Sequence, residues 1–252
     1  MPVIPETERH PLQPFLPENA RLLMLGSFPP PRERWCMDFF YPNPQNDMWR
    51  IMGQVLFGDK QHFVEQGVRS KESGARIQEQ GRKTAFKYEE IVTFCREKGI
   101  AIYDTAQAVR RLQGNAADEH LEIVEQTDIA ALLRQLPLCH DICCTGGKAA
   151  KTLAEIIGRE RDNHAPVIPK TGGYIENVLA GRTVRFWRMP SSSRAYPLSL
   201  DRKAAAYRQM FEEIGLTDSR THKKQSMQRE IRKQLRRHEH PVGVYGCGQW
   251  RG

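Results

Sequence analysis

A chain of 252 residues, 39% hydrophobic and 27% charged, is long enough for one large or two small domains and has an ordinary globular composition, which excludes a disulfide-stapled miniprotein. Its longest apolar runs, such as 22–25, are far too short to span a bilayer, so a soluble protein with no membrane partner is expected. The formal charge is +8, but residues 217–252 hold nine Lys and Arg against three Asp and Glu; the excess belongs to the end of the chain and is weak grounds for a polyanion site in the core.

In chain order, residues 1–19 read as a Pro-rich arm. It carries Pro2, Pro5, Pro11 and Pro14 with acids at Glu6 and Glu8, the layout of neither a secretory signal nor a transit peptide, and a cytoplasmic protein is expected. A strand over 21–25 follows, then the turn Gly26-Ser27-Phe28, a Pro-rich loop and a helix over 47–57. Residues 59–90, rich in Lys, Glu, Gln and Gly, read as a polar insertion or lid. A second strand over 100–103 leads through Asp104-Thr105 into helical sequence reaching about residue 136, broken near Gly114. A third over 141–144 turns at Thr145-Gly146-Gly147 into a helix through 157. A fourth over 183–188 turns at 189–193 into a helix over 201–214. Residues 217–252 form a basic tail in which Met227, Ile231 and Leu235 permit a short helix with a thin apolar stripe, although a solvated tail is the simpler reading.

Strands alternating with helices imply right-handed crossovers and a parallel sheet covered on both faces. The expected fold over residues 20–216 is α/β, a three-layer α/β/α sandwich around a central four-stranded parallel sheet. Ligands in such sheets bind beyond the carboxyl ends of the strands, so the four turns should converge on one crevice. The six cysteines contain no C-x-x-C pair, and Cys143 and Cys144 read as small buried hydrophobes. No metal site or other cofactor is expected.

Four turns carry the chemistry. Gly26-Ser27 lets the backbone approach a ligand and aims N–H groups at an anion or a water. It is followed by Phe39-Phe40-Tyr41 and by Asn46 before the helix; these residues offer stacking faces beside an amide, although a core cluster and a helix cap are the simpler reading of the motif taken alone. Pro190, Ser191, Ser192, Ser193 and Arg194 combine hydroxyls, backbone amides and a guanidinium that suit phosphate oxygens, or else form a capping turn. Thr145-Gly146-Gly147-Lys148 lacks the spacing of a nucleotide-hydrolysing phosphate loop, but its position brings Thr145 to the crevice. The Asp104 carboxylate could order a water, and a helix cap is its simpler use.

The order of a Gly-x-x-Pro turn, an aromatic loop, Pro44-x-Asn46-x-x-Trp49 and a late Pro-Ser-x-Ser turn resembles the uracil-DNA glycosylase superfamily, closest to its hypoxanthine-DNA glycosylase branch, over residues 20–215. The resemblance implies a catalytic Asn46, with donors near Gly26 and Ser27. It implies base binding by Phe40, Tyr41 and Thr145, and DNA binding by the turn from Pro190 to Arg194. Ser27 and Phe28 stand where many members carry an Asp or Asn that orients water, and Thr145 stands where related sequences have a base-reading Asn. The implied activity is monofunctional removal of a deaminated base, uracil or hypoxanthine, from DNA in base excision repair, by a monomer without cofactors. A non-catalytic nucleic-acid-binding protein of the same fold, and a hydrolase of small nucleosides or nucleotides, are the alternatives.

Overall fold

The computed structural model describes residues 5–65, 84–112, 120–160 and 165–217. In order these form β1 (Thr7–Arg9), β2 (Leu22–Gly26), α1 (Met48–Met52), β3 (Val64–Glu65), β4 (Ala85–Phe86), α2 (Tyr88–Lys98) and β5 (Ile100–Asp104). There follow β6 (Ala106–Arg111), β7 (Leu121–Gln126), α3 (Ile129–Arg134), β8 (Asp141–Cys144), α4 (Gly147–Glu160), β9 (Gly173–Leu179), β10 (Arg182–Arg188) and α5 (Leu200–Glu213).

The central sheet has the order β5-β2-β8-β10-β9. The first four strands are mutually parallel, and β9 pairs antiparallel with β10 along the edge. Every residue of β2, β5 and β8 is buried, because apolar runs without alternation are stable only where both faces of a sheet are covered. Leu22, Leu23, Leu25, Ile100, Ile102 and Ile142 are all at 1% exposure or less, each contributing about 1.5–3 kcal/mol of burial. The expected four-stranded parallel sheet with flanking helices is thus present, extended by one antiparallel strand. Two helix ends are fixed by side-chain caps: Asp128 accepts from Ala131 N–H and Ser199 from Arg202 N–H. The helix α2 ends on Gly99 at φ 64°, where a Cβ would collide with the Asn19 carbonyl.

Residues 105–126 differ from the sequence expectation. The described part of this stretch is not helical; β6 and β7 pair antiparallel, and β1 adds to β6 to make a separate three-stranded sheet. Ala, Gln and Arg are good helix formers, but Ala106, Val109 and Leu121 pack into one buried cluster, and packing overrides propensity. The N-terminal arm is therefore stitched to the domain through β1 and through a bridge between Phe15 and Ile102. The described ends of the 59–90 stretch meet as the β3–β4 ribbon, with Phe63, Val64 and Phe86 buried. Residues 66–83, the break near Gly114 and the basic tail from 218 onward lie outside the described residues.

The helix expected over 47–57 is α1 continued by a π-helical turn, Gly53–Phe57, that ends at Gly58. No helix among the described residues is long and apolar enough to cross a membrane.

Candidate active site

The carboxyl ends of β2, β5, β8 and β10 open into one cleft of about 740 Å³, a size typical of small-molecule sites. Gly26, Ser27, Phe40, Tyr41, Asn46, Thr145, Ser191, Ser192, Ser193 and Arg194 all line it. Pro190 does not: it is buried behind the turn, where its carbonyl accepts a hydrogen bond from Tyr207 at 3.2 Å.

The aromatic loop and the serine turn are stapled together. Asn46 and Ser193 form an antiparallel bridge, and Asp47 N–H donates to the Ser192 carbonyl at 2.9 Å. The Asp47 carboxylate, 9% exposed, accepts from Arg194 Nε at 3.0 Å and from Lys203 Nζ at 3.4 Å. Lys203, 1% exposed, also donates to the Ser193 carbonyl at 2.7 Å. Arg50 reaches back to the Pro44 and Asn46 carbonyls; burial, reinforced by the Arg194 charge, lowers its pKa from the usual arginine value. Within the turn, Ser191 Oγ accepts from Ser193 N–H and Ser193 Oγ from Ala195 N–H.

Asn46 stands one residue before the N-cap, Asp47, and its Oδ1 accepts from Met48 N–H at 2.9 Å, an Asx turn leading into the helix. A backbone N–H can be met only by an acceptor, so this bond fixes which end of the amide is oxygen and leaves both Nδ2 donors unspent on it.

Tyr41 has φ 52°, an unusual conformation for an aromatic residue and a local strain of the kind found at ligand sites. The backbone there turns its hydroxyl to within 2.9 Å of Thr145 Oγ1. Burial, and next the nearby Asp104 charge, push the Tyr41 pKa well above the ordinary phenol value, so it is a neutral hydrogen-bonding group. Phe40 is only 4% exposed and packs edge-on against Phe39 and Tyr103. Phe28 also lines the cleft, is less deeply buried, and carries the Arg111 guanidinium 5.7 Å from its ring centre.

Asp104 caps no helix, since β6 begins two residues later. Its carboxylate lines the cleft at 7% exposure, with Oδ2 2.8 Å from His10 Nε2. The His10 ring lies against Tyr103, with centroids 4.6 Å apart, while Nδ1 sits 2.9 Å from the Leu12 carbonyl. Asp104 Oδ1 occupies the space that a Cβ at Gly26 would need, so glycine at the end of β2 is what admits this carboxylate to the floor of the cleft. Sequence reasoning missed His10, which a long-range strand pairing delivers, and it missed Arg34 and Lys148, which line the same cleft. Among the described residues no cluster of His, Cys, Asp and Glu is arranged to hold a metal ion.

No family model matches this chain. It is similar to a hypoxanthine DNA glycosylase of Methanosarcina acetivorans, 25% identical over 158 residues that span 63% of this chain and 82% of that protein. A solution NMR structure of a candidate uracil DNA glycosylase from the same organism aligns with a TM-score of 0.49 and 22% identity, over 81% of this chain and 98% of that one.

Proposed function

We propose that this chain, a relative of the uracil-DNA glycosylase superfamily, is a monofunctional DNA glycosylase that hydrolyses the N-glycosidic bond of a deaminated base, uracil or hypoxanthine. The observation that carries the reading is the staple between Asn46 and Ser193, which sets a hydrogen-bond donor for a base beside a hydroxyl- and guanidinium-bearing turn suited to a phosphate backbone. Breaking the glycosidic bond puts positive character on the sugar and negative charge on the leaving base, so donors to that base lower the barrier. Asn46 Nδ2 is such a donor, and the backbone amides near Gly26 and Ser27 add to it.

A base must leave the duplex to reach a cleft of this depth. Phe40 and Phe28 supply faces for it, while Tyr41 and Thr145 present hydroxyls to its edge. Ser191, Ser192, Ser193 and Arg194 would hold the flanking phosphates, so the partner is DNA containing a damaged or mismatched base.

The test is alkaline cleavage of end-labelled oligonucleotides carrying uracil or hypoxanthine, single-stranded and duplex, with wild type, Asn46→Ala and Asn46→Asp. Asn46→Ala should abolish excision and cost about 1 kcal/mol of stability through the lost hydrogen bond to Met48 N–H. Asn46→Asp keeps an acceptor for Met48 N–H but loses the donor, so excision should vanish with stability retained. Wild type that binds these oligonucleotides without cutting any would refute the enzymatic reading in favour of a binding protein.

A further inference from the structure

We propose that Asp104 is the catalytic residue that holds and deprotonates the hydrolytic water, with His10 as the residue that positions it; this rests on the glycosylase reading above. Asn46 Oδ1 already accepts from Met48 N–H, and a neutral amide oxygen, even with its second lone pair, is too weakly basic to take a proton, whereas a water attacking carbon needs a base for its proton. Among the described residues Asp104 is the one carboxylate lining the cleft.

Three further observations place Asp104 in the chemistry rather than in the scaffold. Its Oδ1 lies over Gly26, in space that any side chain at that position would fill. The neighbouring polar groups, Tyr41 Oη and Thr145 Oγ1, hydrogen-bond to each other at 2.9 Å. Its other oxygen faces His10 Nε2 at 2.8 Å, and the His10 side chain is fully buried, so the carboxylate is held in one orientation by a group that is itself packed against Tyr103 and Phe28. A buried acceptor fixed by a second side chain is the arrangement that general-base catalysis requires.

In the step, the C1′–N bond breaks and its electron pair leaves with the base. The water oxygen bonds to C1′, and the water proton passes to Asp104 Oδ1. The carboxyl then returns that proton to the released base, which departs neutral, and the sugar is left as an abasic site. Water is the only co-reactant.

The experiment measures single-turnover cleavage of whichever uracil or hypoxanthine duplex the wild type cuts, and binding to the same duplex carrying a tetrahydrofuran abasic analogue. Both are measured on Asp104→Asn, His10→Gln, their double variant and Gly26→Ala, with thermal melting as the check on folding. Asp104→Asn should lose about 10²–10⁴-fold in rate with analogue binding unchanged. His10→Gln should lose less, and should cost nothing further in the Asp104→Asn background, which a merely structural histidine would not do. Gly26→Ala should follow Asp104→Asn. An Asp104→Asn variant cutting at the wild-type rate overturns the proposal and leaves the glycosylase reading standing. Should that variant fail to fold, an unchanged rate in His10→Gln overturns it instead. Wild type inert on every lesion removes the glycosylase reading and this proposal with it.

Discussion

Replacing Lys203 with methionine tests whether the staple between the two site loops is built as described. Lys203 Nζ lies 3.4 Å from Asp47 Oδ2 and 2.7 Å from the Ser193 carbonyl, in a side chain 1% exposed. Methionine keeps most of the length and apolar contact but removes the charge and the donor. Stripping one partner from a buried ion pair costs about 3–5 kcal/mol when nothing else compensates the remaining charge. Here Asp47 keeps Arg194, whose side chain is 50% exposed and whose pairing water screens. We therefore expect a loss of about 2–3 kcal/mol, which for a domain of this size lowers Tm by about 4–12 °C. Urea denaturation followed by tryptophan fluorescence should show a lower midpoint with an unchanged slope. Adding Asp47→Asn should cost less than it does alone, because the carboxylate stranded by Lys203→Met is then neutral. A Lys203→Met midpoint equal to wild type, or strict additivity in the double variant, would refute the coupling.

Two further predictions follow from the same geometry and burial. Arg194→Ala should weaken binding to duplex DNA and make the dependence of log K on log salt shallower by about one phosphate contact; a salt slope equal to wild type would remove Arg194 from the phosphate-binding turn. Burial pushes the Cys139 thiol up to about 12 from an ordinary 9.0, and raises Cys95, Cys143 and Cys144 as well. The folded state therefore keeps protons that the unfolded chain gives up above pH 9, so this stability is fully present below pH 9 and is lost as pH rises toward 12. Denaturation midpoints between pH 8 and 11 should fall, and replacing Cys143 and Cys144 by alanine should flatten that fall; midpoints independent of pH would contradict the burial.

Tertiary coupling explains why the cleft has two kinds of residue. Asn46, Tyr41 and the serines belong to loops whose positions follow from the strands they leave, and the strand-end rule brings them together. His10 arrives by a different route, from an arm whose strand β1 pairs with β6. The arm thereby touches the cleft from behind, through the His10 contact with Asp104.

What was legible in the sequence was the frame. Leu22 to Leu25, Ile100 to Tyr103 and Ile142 to Cys144 are unbroken apolar runs, and only a strand covered on both faces buries such a run, so three central strands and the crevice at their ends could be read directly. The residues at those ends, Gly26, Tyr41, Asn46, Thr145 and the 191–194 turn, line the cleft. The strands β6, β7 and β9 were not legible: the first two are written in helix-favouring Ala, Gln, Arg and Glu, and β9 alternates exposed Tyr174, Glu176 and Val178 with inward residues at a sheet edge, so their state depended on partners distant in the chain. Tertiary structure alone decided that Asp104 faces the cleft instead of capping a helix, and that His10 holds it there. A carboxylate's use depends on which atoms surround it, and those surroundings exist only once β5 lies beside β2 and a glycine leaves the space open.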